Sequence, residues 1–218
     1  MKKILFLTLA LCVSITFSQE TRFSFGVKAG SNISNINDTS QTKYKVGFVG
    51  GVFTNYKILP SLSLQPEVLY SMQGYKSNIT GDYRGTPVVY TDNVKMDYIG
   101  IPVMVQYTYR GFYAEAGPQF AFNVKNSLDY EVSLSYFGNK VTYSDKLKDI
   151  AKDFDFAIGV GLGYHIPNTK FSIGARYTFS LTSYYTDGGT TSGGYNFIDH
   201  DSGNPKNRVY SLSISYKI

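Results

Sequence analysis

Phe154-Asp155-Phe156-Ala157-Ile158-Gly159-Val160-Gly161-Leu162-Gly163-Tyr164 alternates without a break. Large apolar residues hold the even positions, and Asp, Ala and three Gly hold the odd ones. Successive side chains of a strand point to opposite faces, so this run reads as one β-strand with a broad apolar face and a crowded face of small residues. Gly159, Gly161 and Gly163 recur every second residue. A dinucleotide-binding fingerprint needs a different spacing and a following helix, so these glycines read as space-savers.

Working outward, the same period of two returns in six more runs, and a seventh is mixed. Toward the C-terminus, Lys170–Leu181 sets Phe171, Ile173, Ala175, Tyr177, Phe179 and Leu181 against Ser172, Gly174, Arg176, Thr178 and Ser180. Arg208–Ile218 sets Tyr210, Leu212, Ile214, Tyr216 and Ile218 against Ser211, Ser213, Ser215 and Lys217. Toward the N-terminus, Gly111–Val124 sets Phe112, Ala114, Phe120 and Phe122 against Glu115, Gly117, Gln119 and Asn123. Val94–Tyr109 carries Ile99, Ile101, Val103, Val105 and Tyr107 on one face. Ser61–Tyr75 sets Leu62, Leu64, Val68, Tyr70 and Met72 against Ser63, Gln65, Glu67, Ser71 and Gln73. Tyr44–Lys57 is mixed but rich in β-formers, and Arg22–Ser31 sets Phe23, Phe25, Val27 and Ala29 against Ser24, Gly26, Lys28 and Gly30.

The connections alternate strictly in length. Short ones fall at Ile58–Pro60, Tyr109–Gly111 and Ile166–Thr169, and long ones at Asn32–Lys43, Lys76–Asn93, Lys125–Asp153 and Thr182–Asn207. Eight strands of about ten residues with that rhythm predict an all-β fold, a closed antiparallel up-and-down transmembrane β-barrel with short periplasmic turns and long external loops. Within the third long connection, Asp145–Lys152 is expected to form a short helix capped by Ser144, while Glu131–Tyr143 also suits an outward hairpin.

A soluble ligand-binding barrel shows the same alternation with its apolar face inward. Three features favour lipid outside. The polar faces are full of Gly and Ser with a few charges, as a narrow lumen requires. Tyr recurs near strand ends, at Tyr44, Tyr56, Tyr107, Tyr177 and Tyr210, as interfacial belts require. The terminal strand ends on the apolar residues Tyr216 and Ile218. Composition agrees. The 218 residues include 20 Tyr, 15 Phe and 21 Gly, and only 17 % are charged, against about 25 % in ordinary soluble domains. Mean hydropathy is −0.16, which a membrane barrel tolerates because only one face of each strand meets lipid.

Residues 1–18 read as a secretory signal peptide. Met1-Lys2-Lys3 is its basic start, Ile4–Phe17 its apolar run, and Thr16 and Ser18 its cleavage-site residues, with Gln19 first in a barrel domain spanning 19–218. The apolar run is too short to span a bilayer, which takes about 20 residues. Loss of Lys2 and Lys3 takes the formal charge from +5 to +3, and the scattered basic residues do not suggest nucleic acid. Cys12, the one cysteine, leaves with the peptide, so the mature chain can form no disulfide or thiolate metal site.

Pro66, Pro102 and Pro118 sit inside three consecutive strands at similar counts from their short turns. A closed sheet has no free edge to absorb them, so a belt of local ladder breaks or bulges is expected, with a lateral opening as its functional reading.

Catalysis needs a general base near a nucleophile or an activated water. His165 falls beside a short turn, and His200, in Asp199-His200-Asp201, falls in the last long connection. Three adjacent loop residues seldom converge on one ion. The reading is therefore a protein with no catalytic residues, no cofactor and no metal. The lumen carboxylates Glu67, Glu115 and Asp155 are expected to pair structurally with Lys28 and Arg176.

Gly26-Val-Lys-Ala-Gly-Ser-Asn-Ile33, Gly47-Phe-Val-Gly-Gly-Val52, Leu64-Gln-Pro-Glu-Val-Leu-Tyr-Ser71, Tyr98-Ile-Gly-Ile-Pro-Val103, Ala116-Gly-Pro-Gln119 and Asp155-Phe-Ala-Ile-Gly-Val-Gly-Leu-Gly163 follow one another in an order and spacing that resembles the PorT-like outer-membrane β-barrel family of Bacteroidetes-type bacteria. The resemblance covers nearly the whole mature chain. It implies an eight-stranded barrel in the bacterial outer membrane, in contact with outer-membrane lipid. Some relatives assist secretion, so envelope or secretion proteins are the implied partners. Family members commonly carry an acidic residue where Gly100 stands, so any lumen network of the family departs from its pattern here. A scaffold or interaction role, a narrow pore and an outer-membrane enzyme are the competing functions. The number of strands counts against the pore, since a lumen of eight strands is usually filled by side chains.

Overall fold

The computed structural model describes residues 22–37, 42–83, 86–134, 140–145, 152–183 and 206–218. Ten strands follow in order: β1 Phe23–Ile36, β2 Thr42–Lys43, β3 Lys45–Leu59, β4 Leu62–Tyr83, β5 Thr86–Tyr109, β6 Phe112–Leu134, β7 Lys140–Asp145, β8 Phe154–His165, β9 Phe171–Ser180 and β10 Asn207–Lys217. Eight of them close on themselves. β1, β3, β4, β5, β6, β8, β9 and β10 pair antiparallel in that order, and β10 returns to β1 through eleven residue pairs from Gly26↔Lys217 to Ile36↔Asn207. Over the height shared by the eight strands, closure leaves no open edge, which is what a sheet in hydrocarbon needs. β2 and β7 lie outside the ring and extend β4 and β6.

The short connections are turns. Arg110 and Gly111 both have positive φ (50° and 87°), as a two-residue type I′ hairpin requires. Asn168 also takes positive φ (58°) after Pro167, a conformation Asn tolerates better than most residues.

Burial fixes which face is outside. Phe25, Val27, Val52, Val68, Val105, Leu162, Ile173, Leu212 and Ile214 are all exposed, while Lys28, Asn55, Gln65, Glu67, Gln106, Glu115 and Arg176 are buried. A soluble barrel would invert that pattern. The apolar exterior suits lipid, and the polar groups fill the lumen. The odd-numbered glycines of β8 serve this packing. A Cβ at Gly161 would lie 2.9 Å from Glu115 Oε1, and one at Gly163 would run into the Tyr113 ring.

Two expectations are corrected. The connection Lys76–Asn93 is strand for nearly its whole length, since β4 continues to Tyr83 and β5 starts at Thr86. β4, β5 and β6 are 22, 24 and 23 residues long, whereas crossing the bilayer takes about 9–11. On β4 the apolar outer face ends near Met72, so the rest of this sheet projects beyond the belt. The hairpin considered for Glu131–Tyr143 is seen as the pairing of β6 with β7. The helix expected at Asp145–Lys152 falls mostly outside the described residues, and Asp145 itself ends β7.

The prolines interrupt the ladder but create no bulge. Pro66↔Val103 and Leu69↔Gly100 share one register across the gap at Glu67–Val68, and Pro102↔Gln119 and Val105↔Ala116 do so across Val103–Met104. A missing N–H removes the bond without changing the residue count. Register shifts fall elsewhere, at Lys57/Leu59 and Asp97/Tyr98.

Candidate functional site

The polar faces meet in the lumen as stacked layers. Nearest the short turns, Asn55 Nδ2 donates to Ser63 Oγ at 3.0 Å, Gln65 Oε1 at 3.1 Å and Gln106 Oε1 at 3.0 Å. Above this amide layer lies an ionic one. Arg176 Nη1 and Nη2 donate to Glu67 Oε2 and Oε1 at 2.8 and 3.0 Å, and its Nε donates to Glu115 Oε1 at 2.7 Å. Lys28 Nζ lies 2.5 Å from Glu67 Oε1. Gln65 Nε2 donates to Glu67 at 2.8 Å, and Gln106 Nε2 to Glu115 at 2.9 Å. Two cations and two carboxylates thus cancel, and every oxygen of both carboxylates is occupied. The Glu67 side chain is 0 % exposed, so this mutual neutralisation is what makes its burial tolerable.

Toward the long-strand end, Asn32 bridges Ser71 and Ser211 at 2.7 Å each, and Gln73 contacts Ser71 and Asn207. Ile36, Tyr75, Met96, Tyr98 and Ala121 form an apolar cluster above them. Between the layers a cavity of about 30 Å³ is lined by Lys28, Gln119, Gly100, Ser71 and Arg176 among others. That is room for about two waters. A Cβ at Gly100 would meet nothing closer than Gln119 Nε2 at 3.6 Å.

Of the five residues assigned to a lumen network, Lys28, Glu67, Glu115 and Arg176 come together and Asp155 does not. Asp155 starts β8 at the opposite end of the lumen, where its carboxylate accepts from Ser180 Oγ at 2.6 Å and from Thr182 Oγ1. Face parity placed it inside the lumen correctly, but its height on the strand takes it away from Arg176. Sequence reasoning missed the amides Asn55, Gln65 and Gln106. Their signal is the same parity that placed the charges.

His165 Nδ1 lies 2.7 Å from Ser172 Oγ, the separation of a base and a nucleophile. Ser172 is buried, however, and the histidine ring stacks on Tyr113 at 4.8 Å. No carboxylate among the described residues orients this pair. His200 lies outside the described residues.

An apolar exterior around a closed eight-stranded sheet, with polar side chains hydrogen-bonded to one another across its lumen, defines a small barrel of the bacterial outer membrane. Residues 17–185 match the family model described as outer membrane protein beta-barrel domain, and the chain belongs to that family. No curated protein matches the sequence. Among solved structures, Neisserial surface protein A is similar at 12 % identity over 91 % of this chain and 98 % of its own, with a TM-score of 0.43. Ail, the attachment invasion locus protein of Yersinia pestis, is similar at 13 % identity over 89 % and 98 %, with a TM-score of 0.41. CarO of Acinetobacter baumannii is similar at 14 % identity over 86 % and 96 %, with a TM-score of 0.41. Identity this low says nothing about activity.

Proposed function

We propose that the chain is a non-enzymatic outer-membrane barrel that serves as an envelope scaffold or anchor and contacts other envelope components through the sheet projecting from its long-strand end. The observation that carries this reading is the length of β4, β5 and β6. About half of each strand lies beyond what a bilayer needs, and strands are not extended into water at random. Beyond Ser77, β4 is paired only with β5 among the described residues, and β7 only with β6. Sheet edges of this kind offer N–H and C=O groups that another chain can pair with. The filled lumen argues against the pore, and the buried Ser172 beside His165 argues against the enzyme.

The finer details belong to the same proposal. These are membership of the PorT-like family, assistance to secretion, a signal peptide at residues 1–18, short turns on the periplasmic side, and a purely structural role for Lys28, Glu67, Glu115 and Arg176. The test is affinity capture from native outer membranes. The full-length chain is compared with a variant whose segment 78–91 is replaced by a two-residue turn. We expect an envelope protein recovered with the first and lost with the second. Equal recovery from both, or none from either, contradicts the reading.

A further inference from the structure

Among the described residues, the charged side chains at the short-turn end of the barrel are all cationic. Arg22, Lys57, Arg110, Lys170 and Lys217 all lie there, and all but Lys217 are exposed. Segments 58–61, 110–111 and 166–170 contain no Asp or Glu. The nearest acidic side chains among the described residues are Glu115 and Glu67, which are buried and already neutralised.

The distribution is even around the circumference. The β10–β1 seam supplies Lys217 and Arg22, the β3–β4 hairpin Lys57, the β5–β6 hairpin Arg110 and the β8–β9 hairpin Lys170. A protein partner docks on one side of a barrel. Lys57 and Lys217 alternate in step with the lumen residues Asn55 and Ser215 and stand at its mouth, whereas Arg110 and Lys170, on separate hairpins, are turned toward what surrounds the barrel.

Its height points the same way. Arg110 lies over the Tyr109 ring at 5.3 Å, and Lys170 over the Tyr216 ring at 5.9 Å. Those rings belong to an aromatic belt that also pairs Phe23 with Tyr56 and Phe112 with Tyr164 at 4.6 Å, and Phe171 with Tyr216 at 5.0 Å. Such belts mark the headgroup level of a bilayer. Cations resting on them stand at the height of lipid phosphates.

We propose that this cationic rim, through Arg110 and Lys170 above all, binds the phosphate groups of anionic phospholipid in the leaflet around the short-turn end, and so sets how deeply the barrel sits. The proposal rests on the membrane placement of the barrel and needs neither its orientation nor any partner.

The test uses the full chain in nanodiscs of equal phosphatidylglycerol and phosphatidylcholine, with retained lipid counted by native mass spectrometry. Phosphatidylglycerol should be enriched severalfold, since one surface cation is worth roughly fivefold at low salt. The triple variant Arg22→Gln/Arg110→Gln/Lys170→Gln should lose the enrichment. Lys43→Gln/Lys76→Gln/Lys125→Gln, at exposed positions of the opposite end, should keep it. If the first triple variant does not fold, Arg110→Gln and Lys170→Gln alone should each lower it. Unchanged enrichment in the rim variants, or a loss that follows the opposite-end variant, overturns the proposal.

Discussion

Arg176 lays its guanidinium on the Glu67 carboxylate through two bonds, Nη1 to Oε2 at 2.8 Å and Nη2 to Oε1 at 3.0 Å, across the full width of the barrel. β9 and β4 stand four places apart in a ring of eight, so the pair joins opposite walls. Fork-on-fork pairing of this kind is directional as well as strong. It holds two long side chains where they block the lumen.

Removing one partner leaves the buried ionic layer with an unbalanced charge. We expect Glu67→Gln and Arg176→Met each to cost about 3–5 kcal/mol, and the double variant to cost clearly less than their sum. Urea unfolding in lipid vesicles measures this, and additive losses would mean that the two groups do not interact. Glu67 also takes Lys28, whereas Glu115 takes Arg176 alone among the cations. Glu67→Gln should therefore destabilise more than Glu115→Gln.

The wall itself is uneven. The ladders joining β3, β1, β10, β9, β8 and β6 run without gaps, while those joining β3, β4, β5 and β6 are interrupted near Pro66, Pro102 and Pro118. On the lipid face Val103 stands between Pro66 and Pro118. Missing bonds lower the local cost of opening. By hydrogen exchange at matched depth in the membrane, amides of β4 and β5 near this row should exchange faster than those of β9 and β10. Uniform protection around the barrel would remove any basis for a lateral opening.

Topology is tested by tags. An epitope inserted after Gly189 should be labelled on intact cells, and one between Pro167 and Asn168 should stay hidden until the membrane is opened. The reverse pattern would invert the orientation. N-terminal sequencing of the same preparation should find Gln19 first.

Much of this architecture was legible because a membrane strand must alternate. Parity alone sorted Lys28, Glu67, Glu115 and Arg176 into the lumen, and counting from the short turns set Glu67 and Arg176 at similar heights. The alternation fails where its cause ends. Beyond the apolar belt a strand has no face to hide, so Lys76–Asn93, rich in Asn, Asp, Thr and Gly, reads as a loop although it forms a paired hairpin. Asp155 shows a second limit. Period two gives its face but not its height, and height decides its partners. For the prolines, sequence shows that a bond must be missing but not whether the register absorbs the loss.

The proposed role requires a lumen closed by its own side chains, with the contacts made on the outside of the barrel. Single-channel recording of the purified full-length chain in planar bilayers tests this most directly. With about 30 Å³ of free space beside the ionic layer, a baseline without unitary steps is expected. Steady steps whose selectivity changes in Glu67→Gln would contradict it, since ions would then be passing the very residues that are held to seal the barrel.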